Sequence, residues 1–283
     1  MNTLLKTRKM LRHDLSAGLR QSMGIYALTV IYILSVCAVF DHQFSEWEQM
    51  QGVAGRPPAV WDYLAFLFEG MEPFDFKMQN GFRLPAIWMM TFLLFLLSVA
   101  KYPRSDMYGI GQQLLLKSKS RTAWWLSKTV WTILAAIVYY TVCFAVLLLY
   151  LAFTHGVSWQ PSDITLTVLP GFGELSLLEQ VLWLVAVPVV TLCTLGLFEL
   201  VFGILYSAVV GVIAAVSALL AALYFNLGAL PGGTCILLRS CLGISGGFSL
   251  GACLTIAAAT SVLYAAVGCL LFYKLDLYGN HEV

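Results

Sequence analysis

Six stretches of this chain are each long and apolar enough to cross a lipid bilayer as a helix. A membrane-spanning helix needs about 20 mostly apolar residues, because all of its backbone hydrogen bonds must be made within the segment. The stretches cover residues 23–40, 84–100, 129–153, 181–198, 203–224 and 250–272. The chain is 60% hydrophobic and 11% charged, whereas a soluble domain has about 25% charged residues. The sequence therefore predicts an all-α polytopic membrane protein, with six transmembrane helices forming one domain over residues 1–283.

Lysine and arginine are unevenly distributed between the segments that connect these stretches. Twelve of the sixteen lie before the first stretch, in the loop after the second, or after the last. The first outer loop, residues 41–83, instead contains seven acidic residues. Because cytoplasmic loops carry an excess of Lys and Arg, this pattern predicts that both the N-terminus and the C-terminus are cytoplasmic.

The segments on either side of the first stretch have patterns of their own. Residues 1–22 resemble an amphipathic helix, which we expect to lie in the inner headgroup layer; the alternative is a basic flank that only sets topology. Its apolar face consists of Leu4, Leu11, Leu15 and Leu19. The outer loop 41–83 contains an apolar run, 60–68, that is too short to span the bilayer. We expect this run to pack on the outer surface or at the outer interface.

Two residues interrupt the fourth and fifth stretches. Pro188 lies within the fourth and should kink that helix, because proline lacks a backbone N–H. Glu199 is the one acid close to a span, and a charge at the bilayer centre costs roughly 2.5–3.5 kcal/mol. We therefore expect Glu199 at the inner junction between these spans, as a helix-end acid in the headgroup zone. The alternative is a polar contact facing a lumen, or a latch to the basic inner loop.

The segment before the last stretch, residues 226–249, is rich in glycine and only moderately apolar. Gly243, Gly247 and Gly251 are spaced by four residues, which in a helix permits close packing against another helix. The segment is predicted as a re-entrant pair of helices, and the glycines as an outer gate or as a packing contact. Cys235 and Cys241 lie in the same segment and could form a disulfide.

The sequence contains no set of residues that would support catalysis. It lacks a P-loop motif, a metalloprotease helix motif and a nucleophile elbow. The four histidines are far apart in sequence, and no metal site is predicted. A net charge of +1 gives no reason to expect nucleic acid as a partner. We therefore expect the chain not to be an enzyme and to hold no cofactor itself.

The inner loop, residues 101–128, is the most informative connection in the chain. It begins where Pro103 ends the second stretch, and it continues with a short apolar segment, 108–116. Trp124 and Trp125 follow, and tryptophan is typical of the membrane–water interface where the third span begins. A short helix that exposes leucines and isoleucine to the cytoplasm predicts a protein partner. The alternative is a loop that only satisfies the charge rule.

This loop resembles the cytoplasmic coupling segment of ABC type-2 permeases. The resemblance comprises a glycine, a leucine-rich helix, a serine–arginine turn and a lysine near the start of the next helix. Here these are Gly111, Leu114 to Leu116, Ser120 with Arg121, and Lys128. The C-terminal end is also similar to that family, through Phe272, Lys274 and Asp276. In this sequence Tyr108 and Gln112 replace the acidic residue and the threonine that are common around the glycine.

The resemblance implies the transmembrane subunit of an ATP-driven exporter in a bacterial inner membrane. A separate cytoplasmic P-loop ATPase would bind ATP and Mg²⁺, and a second permease chain would complete a homodimer or a heterodimer. The contacts to the ATPase would be Gln112, Gln113, Leu114, Leu115, Leu116, Lys117 and Arg121. An apolar or amphipathic cargo is expected, since no charge within the membrane would neutralise an ionic one. The alternative is a non-transporting membrane partner of such a complex, such as an immunity, sensor or assembly subunit.

Overall fold

The computed structural model describes residues 3–52, 55–74, 84–225 and 227–275, and most of these residues are helical. Six helical runs in the described part are long and apolar enough to cross a membrane. They are Leu5–Gln51, Ala86–Met107, Arg121–Phe153, Leu177–Leu205, Ala208–Phe225 and Leu250–Lys274. Within the described ranges there is no β-strand, only one isolated bridge between Ser240 and Phe248. The prediction of an all-α chain with six helices of spanning length is confirmed.

Ten α-helices follow one another along the described chain. They are α1 (Thr3–Gln51), α2 (Val60–Phe68), α3 (Ala86–Met107), α4 (Ile110–Ser118), α5 (Arg121–Phe153), α6 (Asp163–Val168), α7 (Leu177–Val181), α8 (Val187–Leu205), α9 (Ala208–Phe225) and α10 (Leu250–Lys274). Two 3₁₀ turns lie at Pro170–Glu174 and Leu237–Arg239, and a π-helical turn lies at Leu182–Ala186. α8 is central, because it packs against α3, α5, α9 and α10, while α1 packs along α5.

Both ends of the described chain lie at the same end of the helix bundle. Near the N-terminus, the Lys6 ammonium donates to the carbonyl of Ser118 at 2.6 Å. Near the C-terminus, the carbonyl of Leu275 accepts a hydrogen bond of 2.6 Å from Arg121. We call this the inner end; the opposite end, where α1 finishes and α2 lies, is the outer end. An even number of spanning helices brings the two ends of the described chain to the same end of the bundle in this way.

The N-terminal segment is not a separate helix, contrary to the boundary predicted at residue 22. It forms the first turns of α1, which continues without interruption to Gln51. The face of α1 that packs into the bundle is polar in this part, with Thr7, Asp14 and Ser22 all buried. The leucines of the predicted face at positions 11, 15 and 19 are only half buried, and the side chain of Leu4 is outside the described residues. Packing of this face against α5 therefore determines how the N-terminal segment is oriented relative to the other helices.

The apolar run of the first outer loop forms α2, which is enclosed by neighbouring segments rather than lying on the surface. Almost all of its side chains are buried, including Trp61 and Asp62. The Asp62 carboxylate accepts a hydrogen bond of 2.7 Å from the N–H of Ala59, and it accepts further ones from the N–H of Ser162 at 3.0 and 3.1 Å. Burial raises the pKa of this carboxyl above its usual range. Of the predicted loop 41–83, residues 41–51 belong to α1, and residues 53–54 and 75–83 lie outside the described residues.

The helix that contains Pro188 is irregular directly before that proline. The π-helical turn Leu182–Ala186 precedes α8, and the N–H of Val187 bonds to the carbonyl of Leu182, five residues back. Pro188 has no N–H to offer the carbonyl of Leu184, and that carbonyl accepts the hydroxyl of Tyr140 instead. A side chain of α5 thus satisfies the backbone group that the proline leaves free.

The segment between α9 and α10 is mostly buried over residues 231–240, but it is not the pair of helices that was predicted. The described residues 227–249 form turns and one 3₁₀ turn, because their glycines and Pro231 favour turns over helix. The indole N–H of Trp88 donates to the carbonyl of Cys235 at 2.6 Å. Irregular backbone of this kind is stable at depth only where protein groups satisfy it. Cys235 and Cys241 are both free thiols, so the suggested disulfide is absent.

The three spaced glycines of this region have different surroundings and do not share a helix face. Gly243 and Gly247 lie in turns, whereas Gly251 is in the first turn of α10. A Cβ at Gly247 would collide with the backbone of Ser240 and would lie 2.6 Å from the carbonyl oxygen of Arg239. A Cβ at Gly251 would meet open space. The close backbone contact at position 247 therefore requires glycine, whereas position 251 has room for a larger side chain.

This difference makes a matched pair of substitutions informative. Gly247→Ala is expected to destabilise the chain by about 1–3 kcal/mol, because the methyl group must displace backbone. Gly251→Ala should be neutral or slightly stabilising, since alanine is favoured over glycine in a helix. Thermal unfolding of the purified variants in one detergent would measure both changes. Equal stability of the two variants would contradict the packing described for Gly247.

Candidate functional site

A short helix, α4, lies at the inner end between the two long helices α3 and α5. Ser120 starts α5, because its hydroxyl accepts the N–H of Ala123 at 3.3 Å. Directly before it, Lys119 adopts a left-handed conformation, with φ of 51°, and its N–H bonds to the carbonyl of Leu115. This arrangement ends α4 after little more than two turns. The chain therefore presents an isolated helical segment outside the bundle of spanning helices.

One side of α4 is exposed and consists of apolar, amide and basic groups. Ile110 is 56% exposed and Leu116 is 51% exposed, and Gln113 and Lys117 are exposed as well. We call these four residues the α4 surface. Ile110, Gln113 and Lys117 follow the three- and four-residue spacing of a single helix face. The α4 surface thus combines two exposed aliphatic side chains with an amide and a cation.

The residues predicted to contact a partner divide into two groups. Gln113, Leu116 and Lys117 are exposed, while Gln112 and Leu114 are half buried. Leu115 is buried in an apolar cluster with residues of α5, α8 and α10. Arg121 is engaged within the chain, since its Nη1 donates to the carbonyls of Tyr273 at 2.8 Å and of Leu275 at 2.6 Å. Leu115 holds α4 to the bundle by burying the apolar side of this short helix. Arg121 holds the start of α5 to the end of α10 through its two hydrogen bonds.

The two sequence motifs that carry the family resemblance lie together in the structure. The ring of Phe272 stacks on Trp124, with centroids 4.7 Å apart, and it lies 5.9 Å from the ring of Trp125. Arg121 connects the same two segments through the carbonyls described above. The C-terminal end of α10 therefore packs against the start of α5 and supports it. Asp276, the last residue of the C-terminal motif, lies outside the described residues.

Directly behind α4, three charged side chains form a buried cluster, which we call the ion cluster. The Lys128 ammonium lies 2.6 Å from the carboxylate of Asp14 and 2.6 Å from that of Asp106. All three side chains are at most 5% exposed. The carboxylate of Asp14 also accepts the hydroxyls of Tyr102 at 2.7 Å and of Ser127 at 2.5 Å. The cluster joins α1, α3 and α5 through charge-assisted hydrogen bonds.

The ion cluster is in direct contact with the turn that leads into α4. A Cβ on Gly111 would collide with the carboxylate of Asp106, and it would lie 2.6 Å from the backbone carbonyl of the same residue. The absence of a side chain at Gly111 thus allows Asp106 to reach Lys128 while α4 packs closely beside it. A displacement of α4 would be transmitted to this carboxylate and, through Lys128, to α1 and α5.

The N-terminal helix supports α4 at two further points. The Lys6 ammonium donates to the carbonyl of Ser118, the last residue of α4, where a cation is also favoured by the helix dipole. His13 Nε2 lies 3.4 Å from Asp106 Oδ1 and adds a positive charge to the ion cluster when protonated. α4 is therefore anchored by α1 at its C-terminal end and by the ion cluster near its start.

The resemblance implies a role for Lys128, but no sequence pattern singled out Asp14 or Asp106. The sequence does contain a signal for both residues. Asp14 is the one acid among residues 1–22, and Asp106 is the one acid among residues 101–128. A single acid in a strongly basic segment has no neighbouring acid to repel it, and it has several lysine and arginine side chains with which it can pair. Only the packing of α1 on α5 shows that both acids reach the same lysine.

In the described ranges, no group of three or more His, Cys, Asp or Glu side chains is arranged to hold a metal ion. The polar groups of the ion cluster are occupied by one another, so this site is suited to holding helices together and not to acid–base chemistry on a substrate.

No protein-family model, no curated protein and no solved structure matches this chain.

Proposed function

We propose that this chain is the transmembrane permease subunit of an ATP-driven ABC exporter. The α4 surface is the single observation on which the proposal rests most. It is a short, exposed, partly apolar helix at the inner end of the bundle, where both ends of the described chain lie. The excess of Lys and Arg in the segments at that end supports a cytoplasmic location for it. The partner is a P-loop ATPase, which binds ATP and Mg²⁺, and a second permease chain completes the transporter.

In this proposal the ion cluster transmits the movement of α4 to the spanning helices. ATP-driven closure of the ATPase pushes α4, and Asp106 moves together with Gly111. Lys128 then carries the displacement to α5, and Asp14 carries it to α1. Buried, hydrogen-bonded charge pairs suit this task because they are stiff and specific in geometry. The cargo class that fits the apolar spans is an apolar or amphipathic molecule.

Substitution on the α4 surface tests the proposed interface. Leu116→Asp and Ile110→Asp should each abolish co-purification of the ATPase, because a carboxylate in an apolar contact loses its hydration without a partner. The matched control is Leu177→Asp, since Leu177 is 63% exposed on a short helix at the outer end. The measurement is a pull-down of the tagged full chain in mild detergent, followed by mass spectrometry.

Recovery of a stoichiometric P-loop ATPase with the native chain and the control, and its loss with both α4 variants, would support the proposal. Retention of the ATPase by both α4 variants would show that α4 is not the contact. A native chain that brings down no ATPase would overturn the transporter proposal. An ATPase that binds through α4 but supports no transport in vesicles would favour the alternative of a non-transporting subunit.

A further inference from the structure

Glu199 lies within α8, two turns before the end of that helix, and is only 1% exposed. The prediction that it marks the junction between two spans is therefore wrong; that junction is at Tyr206 and Ser207. The carboxyl group makes no hydrogen bond or ion pair with any other part of the chain that the structure describes. An unpaired carboxylate in an apolar interior has a large solvation penalty, which the neutral acid avoids.

Two glycines, Gly203 and Gly211, lie directly beside this carboxyl group. Its Oε1 atom lies 3.0 Å from the position that a Cβ on Gly211 would occupy, and 3.3 Å from the corresponding position on Gly203. The two glycines thus allow α8 and α9 to approach closely around the acid. α9 contributes no charged residue, and its one titratable group, Tyr224, is near the opposite end of the helix.

The charged and titratable groups of the other helices around α8 are engaged elsewhere. From α3, Arg104 Nη1 donates to the carbonyls of Gly203 at 3.1 Å and of Ile204 at 3.4 Å. From α5, Lys128 is held within the ion cluster by two carboxylates. From α10, the ring of Tyr264 packs on Phe198, with centroids 5.1 Å apart. None of these groups forms an ion pair with Glu199.

We propose that Glu199 is a proton-binding site within the membrane, and that its proton is enclosed between α8 and α9 in this conformation. The carboxyl group is neutral here, and it releases its proton to water at the inner end when the two helices separate at Gly203 and Gly211. The ligand is a proton because even a methyl group on Gly211 would crowd the carboxyl oxygen at 3.0 Å, which leaves no room there for a larger ligand. This inference goes beyond the exporter proposal and is independent of whether the chain binds an ATPase.

Infrared difference spectroscopy on the purified full chain in lipid tests the assignment. At neutral pH the native chain minus the Glu199→Gln variant should show the C=O stretching band of a protonated carboxyl group. Glutamine is nearly isosteric with the protonated acid, so this variant is expected to fold. The matched control is Glu179→Gln, which removes an exposed acid near the start of the same helical run. That variant should retain the band. In D₂O the band should shift slowly, because exchange requires the helices to open.

Chemical modification gives a second measurement that is independent of the spectrum. A hydrophobic carbodiimide reacts with protonated carboxyl groups in a membrane interior, and mass spectrometry should locate the adduct on Glu199. Absence of the infrared band at neutral pH would overturn the proposal, since the group would then be ionised. Equal loss of the band in the Glu179→Gln variant would also overturn it. An adduct on Glu199 that forms at neutral pH would support the proposal.

Discussion

Replacement of Lys128 with methionine is expected to destabilise the purified chain by about 3–5 kcal/mol. The substitution removes the one ammonium that lies between Asp14 and Asp106, while both carboxylates remain buried. Breaking a buried ion pair from one side is costly because the remaining charge has lost its hydration and has no compensating partner. Two such charges close together also repel each other. Thermal and denaturant unfolding in one fixed detergent would measure the loss.

Two further variants separate this explanation from a simple loss of packing. Lys117→Met removes an exposed lysine from α4 and should change stability by no more than about 0.5 kcal/mol. Combining Lys128→Met with Asp14→Asn and Asp106→Asn should recover much of the loss, because a neutral, hydrogen-bonded core replaces unpaired charges. A triple variant as unstable as Lys128→Met alone would show that the unpaired charges of the two carboxylates are not the cause of the loss.

Replacement of Arg239 with methionine should loosen the outer end, with an expected loss of about 3 kcal/mol or more. The guanidinium is buried and donates to four backbone carbonyls. Their oxygens lie at 2.7 Å in Leu223, 3.0 Å in Ala222, 3.0 Å in Met71 and 3.2 Å in Glu72. Two of these carbonyls belong to the last turn of α9, where helix carbonyls lack partners and a cation is favoured. Burial lowers the pKa of the guanidinium, yet arginine remains charged at neutral pH.

The local effect can be measured at Cys235, which is 1% exposed in the same segment. A thiol reagent should modify Cys235 much faster in the Arg239→Met variant than in the native chain. Cys241 is exposed and serves as the internal control, because it should react at the same rate in both. Arg239→Lys should give an intermediate rate, since one ammonium cannot reach four carbonyls with the geometry of a guanidinium. Unchanged protection of Cys235 in the methionine variant would show that Arg239 does not hold this segment.

The amino-acid pattern was sufficient to predict the number of spanning helices and the short helix α4. Both depend on local properties: the length of an apolar run, and the positions of Gly111 and Ser120 around a leucine-rich segment. The prediction that Pro103 ends the second spanning helix is wrong, because α3 continues through this proline to Met107. A polypeptide in lipid must satisfy its backbone hydrogen bonds within each segment, so apolar length alone predicts a helix. The separation of the fourth and fifth spans was harder to place, because Glu199 gave the one visible interruption in a long apolar run.

The errors occurred where contacts between distant segments determine the outcome. The pattern of leucines suggested that residues 1–22 lie on the membrane, yet the buried face is the one that contains Asp14. The glycines at 243, 247 and 251 suggested a helix, yet the backbone of Ser240 packs against Gly247 inside a turn. In each case a long-range contact has a larger effect than a local preference, which is worth well under 1 kcal/mol per residue for most side chains.

The order of residues along the chain was enough to predict an all-α protein with six helices of spanning length and a short helix among basic residues. The cluster of Asp14, Asp106 and Lys128, and the enclosure of Glu199 between two helices, became visible only in the packed molecule. Hydropathy and turn propensity act over a few residues, so their effects can be predicted from the local sequence. Charge pairing and close glycine contacts depend on which helix faces meet, and these residues are up to 114 positions apart.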